Sequence, residues 1–264
     1  MTLERLRQNP AFAGLPVVER LDELGELPAR VVVQAPPGTG KTTAIPPAVA
    51  EQVAGRVIVT QPRRIAARAA ARRLATLSGT APGEYAGHTV RGDSTTTAST
   101  KIEFVTTGVL LRRLIREPEL SGVDAVILDE VHERHLDDDL ALAMVAELAE
   151  LRDDLTVVAM SATLDAARWA DLLGADRVFE VPAVLHPLEL QWAPHGAPAL
   201  DVRGVTEGFL DHVAVVAEQA MASRDEGSAL VFVPGVREVD GVVARLRNAG
   251  LAAVPLHGRL SAKE

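Results

Sequence analysis

Residues 30–43 read RVVVQAPPGTGKTT. An unbroken run of β-branched residues leads into a loop holding Gly38 and Gly40, and Lys41, Thr42 and Thr43 then open a helical pattern. A phosphate chain needs closely approaching backbone N–H groups, a positive charge and a magnesium ligand. This stretch offers all three. Gly38 and Gly40 permit the tight turn, and the N–H groups from Gly38 to Thr42, including that of Thr39, can point inward. Lys41 can reach the β- and γ-phosphates, while the Thr42 hydroxyl suits Mg²⁺. Pro37 has no N–H and precedes the cradle, and Thr43 closes the nucleotide-binding set. Ala35 stands where the pattern G-x-x-x-x-G-K-[ST] has its first glycine, so the match is partial. The alternative is a glycine-rich turn with a solvated lysine, which the flanking strand and helix argue against.

Similar apolar runs recur on either side of this one. RVIVT (Arg56 to Thr60), KIEFVT (Lys101 to Thr106), AVILDE (Ala125 to Glu130) and TVVAMS (Thr156 to Ser161) are each followed by a polar turn. Apolar runs without alternation suit strands covered on both faces, as in a parallel doubly wound sheet. IAARAAARRLATL and DLALAMVAELAEL, rich in alanine and leucine, have helical spacing. The expected fold is therefore α/β, a parallel sheet with helices on both faces, whose ligands sit at the carboxyl ends of the strands. A proline-rich stretch from Pro182 to Pro198 reads as a linker with at most a short strand near Leu188 to Gln191. A second α/β pattern follows: a helix near Val205 to Ala222, a strand over Ala229 to Val233, a helix over Val236 to Asn248 and a strand over Ala252 to His257. The expected boundaries are a first domain over 1–183, a linker over 184–204 and part of a second domain over 205–264.

AVILDEVHER (Ala125 to Arg134) ends an apolar strand in two acids. That order suits a carboxylate that holds Mg²⁺, Asp129, followed by one that polarises the attacking water, Glu130. Lys41, Asp129 and Glu130 are the expected catalytic residues, and Thr42 and Asp129 the metal ligands.

Across its 264 residues the chain is 47% hydrophobic and 24% charged, enough to bury a full core. Its net charge of −9 argues against a surface that coats nucleic acid throughout. Yet residues 56–73 carry Arg56, Arg63, Arg64, Arg68, Arg72 and Arg73 with no acid, a local pattern that suits a phosphate-binding track. The chain has no cysteine, which fits a reducing cytosol, and MTLERLRQNP is no signal peptide. A cytoplasmic protein with no membrane span is expected.

DEVH with its following Glu-Arg resembles the DEAH-box helicases of superfamily 2, and SAT (Ser161 to Thr163) resembles their third motif. TQPRRIAARAAARR resembles motif Ia, TTGVLLRRL motif Ib and LVFVPG motif IV; LHGRLS (Leu256 to Ser261) resembles the segment after it. The wording is most similar to the bacterial HrpB group of ATP-dependent RNA helicases. The resemblance implies two RecA-like domains, the second incomplete, with ATP and Mg²⁺ as cofactors and single-stranded RNA, or DNA, as partner. It implies RNA-backbone contacts from Thr60, Arg63, Arg64 and Thr107, and coupling between nucleotide site and domain movement through His132, Ser161 and Thr163. It places Arg73 against the adenine ring. A solvated helix face is the preferred reading for Arg68 and Arg72.

The same resemblance implies unwinding from 3′ to 5′ by the intact protein. It also implies motifs V and VI, whose arginines reach the γ-phosphate; neither occurs in this sequence. A nucleotide-dependent RNA-binding module with little turnover is thus the rival expectation. His88, His186, His195 and His212 lack the spacing of a shared metal site. Asp137 to Asp139 read as a solvated helix start, and Trp169 and Trp192 as packing residues.

Overall fold

The computed structural model describes residues 2–163, 165–182, 188–223, 226–258 and 260. Contacts divide the chain into two compact units, Met1–Leu185 and His186–Glu264. The described part of the segment read as a linker, from Leu188, groups with the second unit; its residues 184–187, including His186, lie outside the described residues, as do Arg259 and Ser261 of LHGRLS.

In the first unit, three short helices, α1 (Leu3–Arg7), α2 (Pro10–Ala13) and α3 (Leu21–Leu24), precede β1 (Arg30–Gln34). Then come α4 (Lys41–Gln52), β2 (Arg56–Gln61), α5 (Arg64–Ser78), β3 (Ala86–Val90), β4 (Asp93–Ser94), β5 (Ile102–Thr106), α6 (Thr107–Arg116) and β6 (Val123–Leu128). α7 (Leu136–Leu151), β7 (Thr156–Ser161), α8 (Ala166–Leu173) and β8 (Arg177–Glu180) complete it. The eight strands form one sheet in the order β4-β3-β5-β2-β6-β7-β1-β8. All neighbours are parallel except β3 and β4, which are antiparallel at the edge.

Alternate residues of each central strand feed two separate cores. Val31, Val33, Val57, Val59, Ile127 and Met160 join the core under α1 to α5. Val32, Ile58, Val126, Leu128, Val157 and Ala159 join the other, under α6, α7 and α8. Both faces being covered explains why these strands read as continuous apolar runs. β3, β4 and β8 were missed from sequence because they are short and interrupted by Gly87, His88 or flanking charges. Pro46 and Pro47 sit inside α4, where proline normally ends a helix. Burial of the residues around them from Ala44 to Ala50 carries the helix through.

The second unit holds a two-stranded antiparallel hairpin, β9 (Leu200–Asp201) with β10 (Gly204–Val205), then α9 (Glu207–Ala222) and α10 (Val236–Asn248). Leu210, Ala214, Ala217, Val242 and Leu246 make its core, with Val231, Val233, Leu251 and Ala253 packed against it. The two expected strands there are corrected: no ladder is assigned over 229–233 or 252–257, nor a strand near Leu188. Both segments alternate inward and outward, with Phe232 85% exposed. Two strands alone make a marginal sheet, which accounts for extended segments without ladder pairing. Trp192 is also corrected; it is 86% exposed, whereas Trp169 is buried in the core under α8.

Candidate functional site

The carboxyl ends of five adjacent strands, β5, β2, β6, β7 and β1, line one edge of the sheet. Every segment singled out in the first unit emerges there, because parallel strands all point their ends the same way. β1 runs into the loop before α4, in which Gly38 and Gly40 adopt positive φ of 82° and 88°. A Cβ on Gly40 would also stand 2.9 Å from Leu15, so this glycine answers both backbone and packing demands. The Val17 N–H donates to the Thr39 carbonyl (3.0 Å), and the buried Thr39 hydroxyl donates to the Pro36 carbonyl (2.8 Å). The loop is thereby held from the amino-terminal segment as well as from within. Thr43 lies in the first turn of α4, and Pro37 and Gly38 are exposed.

Lys41, Thr42, Asp129 and Glu130 meet in one cluster. Lys41 Nζ donates to Glu130 Oε1 at 3.1 Å, and Thr42 Oγ1 donates to Asp129 Oδ2 at 2.6 Å. Gln61 Nε2 donates to the same Oδ2 at 2.6 Å, and the Glu130 N–H donates to Oδ1 at 2.9 Å. Burial, then the adjacent Glu130 charge, pushes the Asp129 carboxyl up to about 6 against the pull of Thr42, Lys41 and Gln61. A cation beside this carboxylate would offset the cost of burying its charge.

Glu130 and Arg134 are non-glycine residues with φ of 58° and 55°, bracketing a 3₁₀ turn over Val131–Glu133. Such backbone strain concentrates at functional sites. The turn brings His132 Nδ1 to 3.4 Å from Glu130 Oε2 and lets it accept the Ala162 N–H at 3.3 Å. Ser161 Oγ accepts the Thr163 N–H at 3.2 Å. His132 therefore touches both the DEVH and the SAT segments.

The expected nucleic-acid residues divide. Arg63 precedes α5 and is exposed, with only a 3.9 Å approach to Glu133; Arg64 is exposed on its first turn. Thr60 and Thr107 differ from expectation, since both are buried with occupied hydroxyls. Thr60, 2% exposed, accepts the Asp129 N–H at 3.2 Å, and Thr107 donates to Asp138 at the start of α7. Arg73 is exposed on α5, and its side chain makes no hydrogen bond or ion pair among the described residues. Arg72 is a solvated face residue, but Arg68 is not, pairing with Asp93 at 2.8 Å. Asp137 to Asp139 open α7, and among the described residues no cluster of three metal-ligating side chains occurs.

Two buried residues of the first unit were not foreseen. Gln61 was passed over because an amide after a strand carries no chemical signal until its partner is known. Glu103 on β5, 1% exposed, accepts hydrogen bonds from Arg56 at the start of β2, Arg113 on α6 and Thr89 on β3. No helix among the described residues is long and apolar enough to cross a membrane.

A family model described as DEAD/DEAH box helicase matches residues 22–172. The ATP-dependent RNA helicase HrpB of Escherichia coli is 38% identical over 259 residues, covering 95% of this chain and 31% of that protein. The ATP-dependent RNA helicase HrpA of Borreliella burgdorferi is 29% identical, covering 93% and 30%. The crystal structure of Escherichia coli DEAH/RHA helicase HrpB matches with a TM-score of 0.80 at 38% identity, over 94% of this chain and 32% of that one. The chain thus spans about a third of the length of these relatives. Its eight-stranded, mostly parallel sheet is RecA-like. With the family model spanning more than half of the sequence and the phosphate loop and DEVH segment meeting at one sheet edge, the chain belongs to the DEAD/DEAH box helicase family.

Proposed function

We propose that the whole protein is an ATP-dependent RNA helicase of the DEAH type, unwinding from 3′ to 5′, and that these residues supply its nucleotide pocket and part of its polymer track. The single observation that carries this reading is the four-residue cluster Lys41, Thr42, Asp129 and Glu130, joined by hydrogen bonds of 3.1 and 2.6 Å. A cation, two hard oxygen donors and a second carboxylate converge there from the ends of two strands separated by one other.

ATP binds through the N–H groups of Gly38 to Thr42, with Lys41 leaving Glu130 for the phosphates. Thr42 Oγ1 and Asp129 Oδ2, 2.6 Å apart, fit a hard cation that prefers oxygen ligands. Bound Mg²⁺ would neutralise charge on the phosphate oxygens. Glu130, freed from Lys41, takes the proton of the attacking water. His132, Ser161 and Thr163 pass the state of the nucleotide to the rest of the motor. Arg63 and Arg64 hold the phosphates of single-stranded RNA, or DNA, and contact no bases. Thr60 and Thr107 act from inside, holding Asp129 and α7 in place. Arg73 lies against the adenine. The domain boundaries proposed for this arrangement are 1–183, 184–204 and 205–264, and its setting is the cytoplasm.

The second reading, a nucleotide-dependent RNA-binding module, applies to this chain by itself. Among the described residues no arginine is hydrogen-bonded to the four-residue cluster. An arginine finger accelerates phosphoryl transfer by ~10³ to 10⁵. Phosphate release measured with and without poly-U, on this chain and on a longer one, separates the two. Stimulation only in the longer chain is expected. No nucleotide binding in either would overturn both readings.

A further inference from the structure

We propose that Gln61 is the positioning residue that orients the Asp129 carboxylate toward the magnesium ion of the bound nucleotide; this rests on the nucleotide site proposed above. Gln61 ends β2 and Asp129 follows β6, its parallel neighbour, one step beyond the register pair Thr60 and Leu128. Corresponding positions on adjacent parallel strands share a face, so the side chains of Gln61 and Asp129 meet without distortion. The contact is short and buried: Nε2 to Oδ2 is 2.6 Å, and Gln61 is 5% exposed.

Three donors reach the Asp129 carboxylate. Thr42 and Gln61 share Oδ2, and the Glu130 N–H takes Oδ1. Thr42 cannot keep this duty if its hydroxyl oxygen turns to the metal. Gln61 is then the remaining side-chain donor among the described residues, and with the Glu130 N–H it fixes the carboxylate's rotation. The choice of residue has a chemical reason. An amide orients a carboxylate without cancelling its charge, whereas a lysine or arginine here would compete with the cation for it. Thr60 completes the arrangement by accepting the Asp129 N–H, so β2 grips both backbone and side chain of this residue.

The test is calorimetric titration of ATP, with and without Mg²⁺, into the 264-residue chain and its Gln61→Met, Gln61→Ala and Gln61→Glu variants. Magnesium-free affinity should stay within about twofold of wild type in the first two, while the gain on adding Mg²⁺ shrinks about tenfold. Gln61→Glu, which sets a like charge against Asp129, should lose more. If Gln61→Met and Gln61→Ala keep the full magnesium gain, the proposal is overturned and the phosphate-loop reading stands. Equal loss of magnesium-free binding would overturn it too, showing that Gln61 supports the fold at large. A wild-type chain that binds no ATP under either condition overturns the nucleotide-site reading itself.

Discussion

Lys41 Nζ lies 3.1 Å from Glu130 Oε1, joining the phosphate-loop cation to the DEVH glutamate across 89 residues of sequence. The pair ties up the cation proposed to meet the phosphates and the carboxylate proposed to activate water. In the proposed mechanism, nucleotide binding and release of the base are one exchange of partners. Replacing Lys41 by Ala removes a charge-assisted bond to phosphate, so ATP–Mg²⁺ affinity should fall by roughly 10- to 100-fold. Calorimetry measures it, and unchanged affinity would falsify the role given to Lys41.

Glu130→Gln should leave ATP affinity close to wild type, because Asp129 and its partners Thr42 and Gln61 remain. Turnover in a longer chain that hydrolyses ATP should drop by about 10² to 10⁴ with loss of the base. Single-turnover hydrolysis checks this; a rate near wild type removes Glu130 from the chemistry.

Arg63 and Arg64 are exposed at the start of α5, and Arg63 approaches the Glu133 carboxylate only to 3.9 Å. Replacing both with Ala should weaken RNA binding about equally for every sequence tested and lower the salt slope by about 1 to 2. Fluorescence titrations at several salt concentrations on poly-U and poly-A provide the comparison. A loss confined to one sequence would mean base reading.

Glu103 makes a prediction about stability. Burial pushes its carboxyl up, but hydrogen bonds from Arg113 and Thr89 and the charges of Arg113 and Arg56 outweigh this and hold it below the usual Glu range. A depressed carboxylate contributes stability above its unfolded pKa of about 4.3, lost as pH falls through the folded value. Glu103→Ala should cost about 2 to 4 kcal/mol at neutral pH, since it strands two guanidiniums that are about three-quarters buried. The gap in melting temperature between wild type and Glu103→Gln should narrow as pH drops below the usual Glu range. A gap that is constant with pH would show that the ion pairs contribute nothing.

Local chemistry decided what could be read from the sequence alone. The glycine loop before Lys41 and the acids after Leu128 are contiguous, and each carries its geometry in a few neighbouring residues. The covered sheet was legible as well, because strands feeding cores on both faces must be apolar throughout. Tertiary structure alone decided which of these segments face one another and which polar groups are used up inside. Gln61 and Thr60 find Asp129 across 68 and 69 residues, and Glu103 finds Arg56 across 47. No spacing rule links such positions, since strand order, with β6 lying between β2 and β7, sets their proximity. Trp169 and Trp192 are the same residue type, yet Trp169, on α8, is buried against the sheet core while Trp192 is open to solvent. Burial depends on what packs above a residue, and that partner comes from elsewhere in the chain.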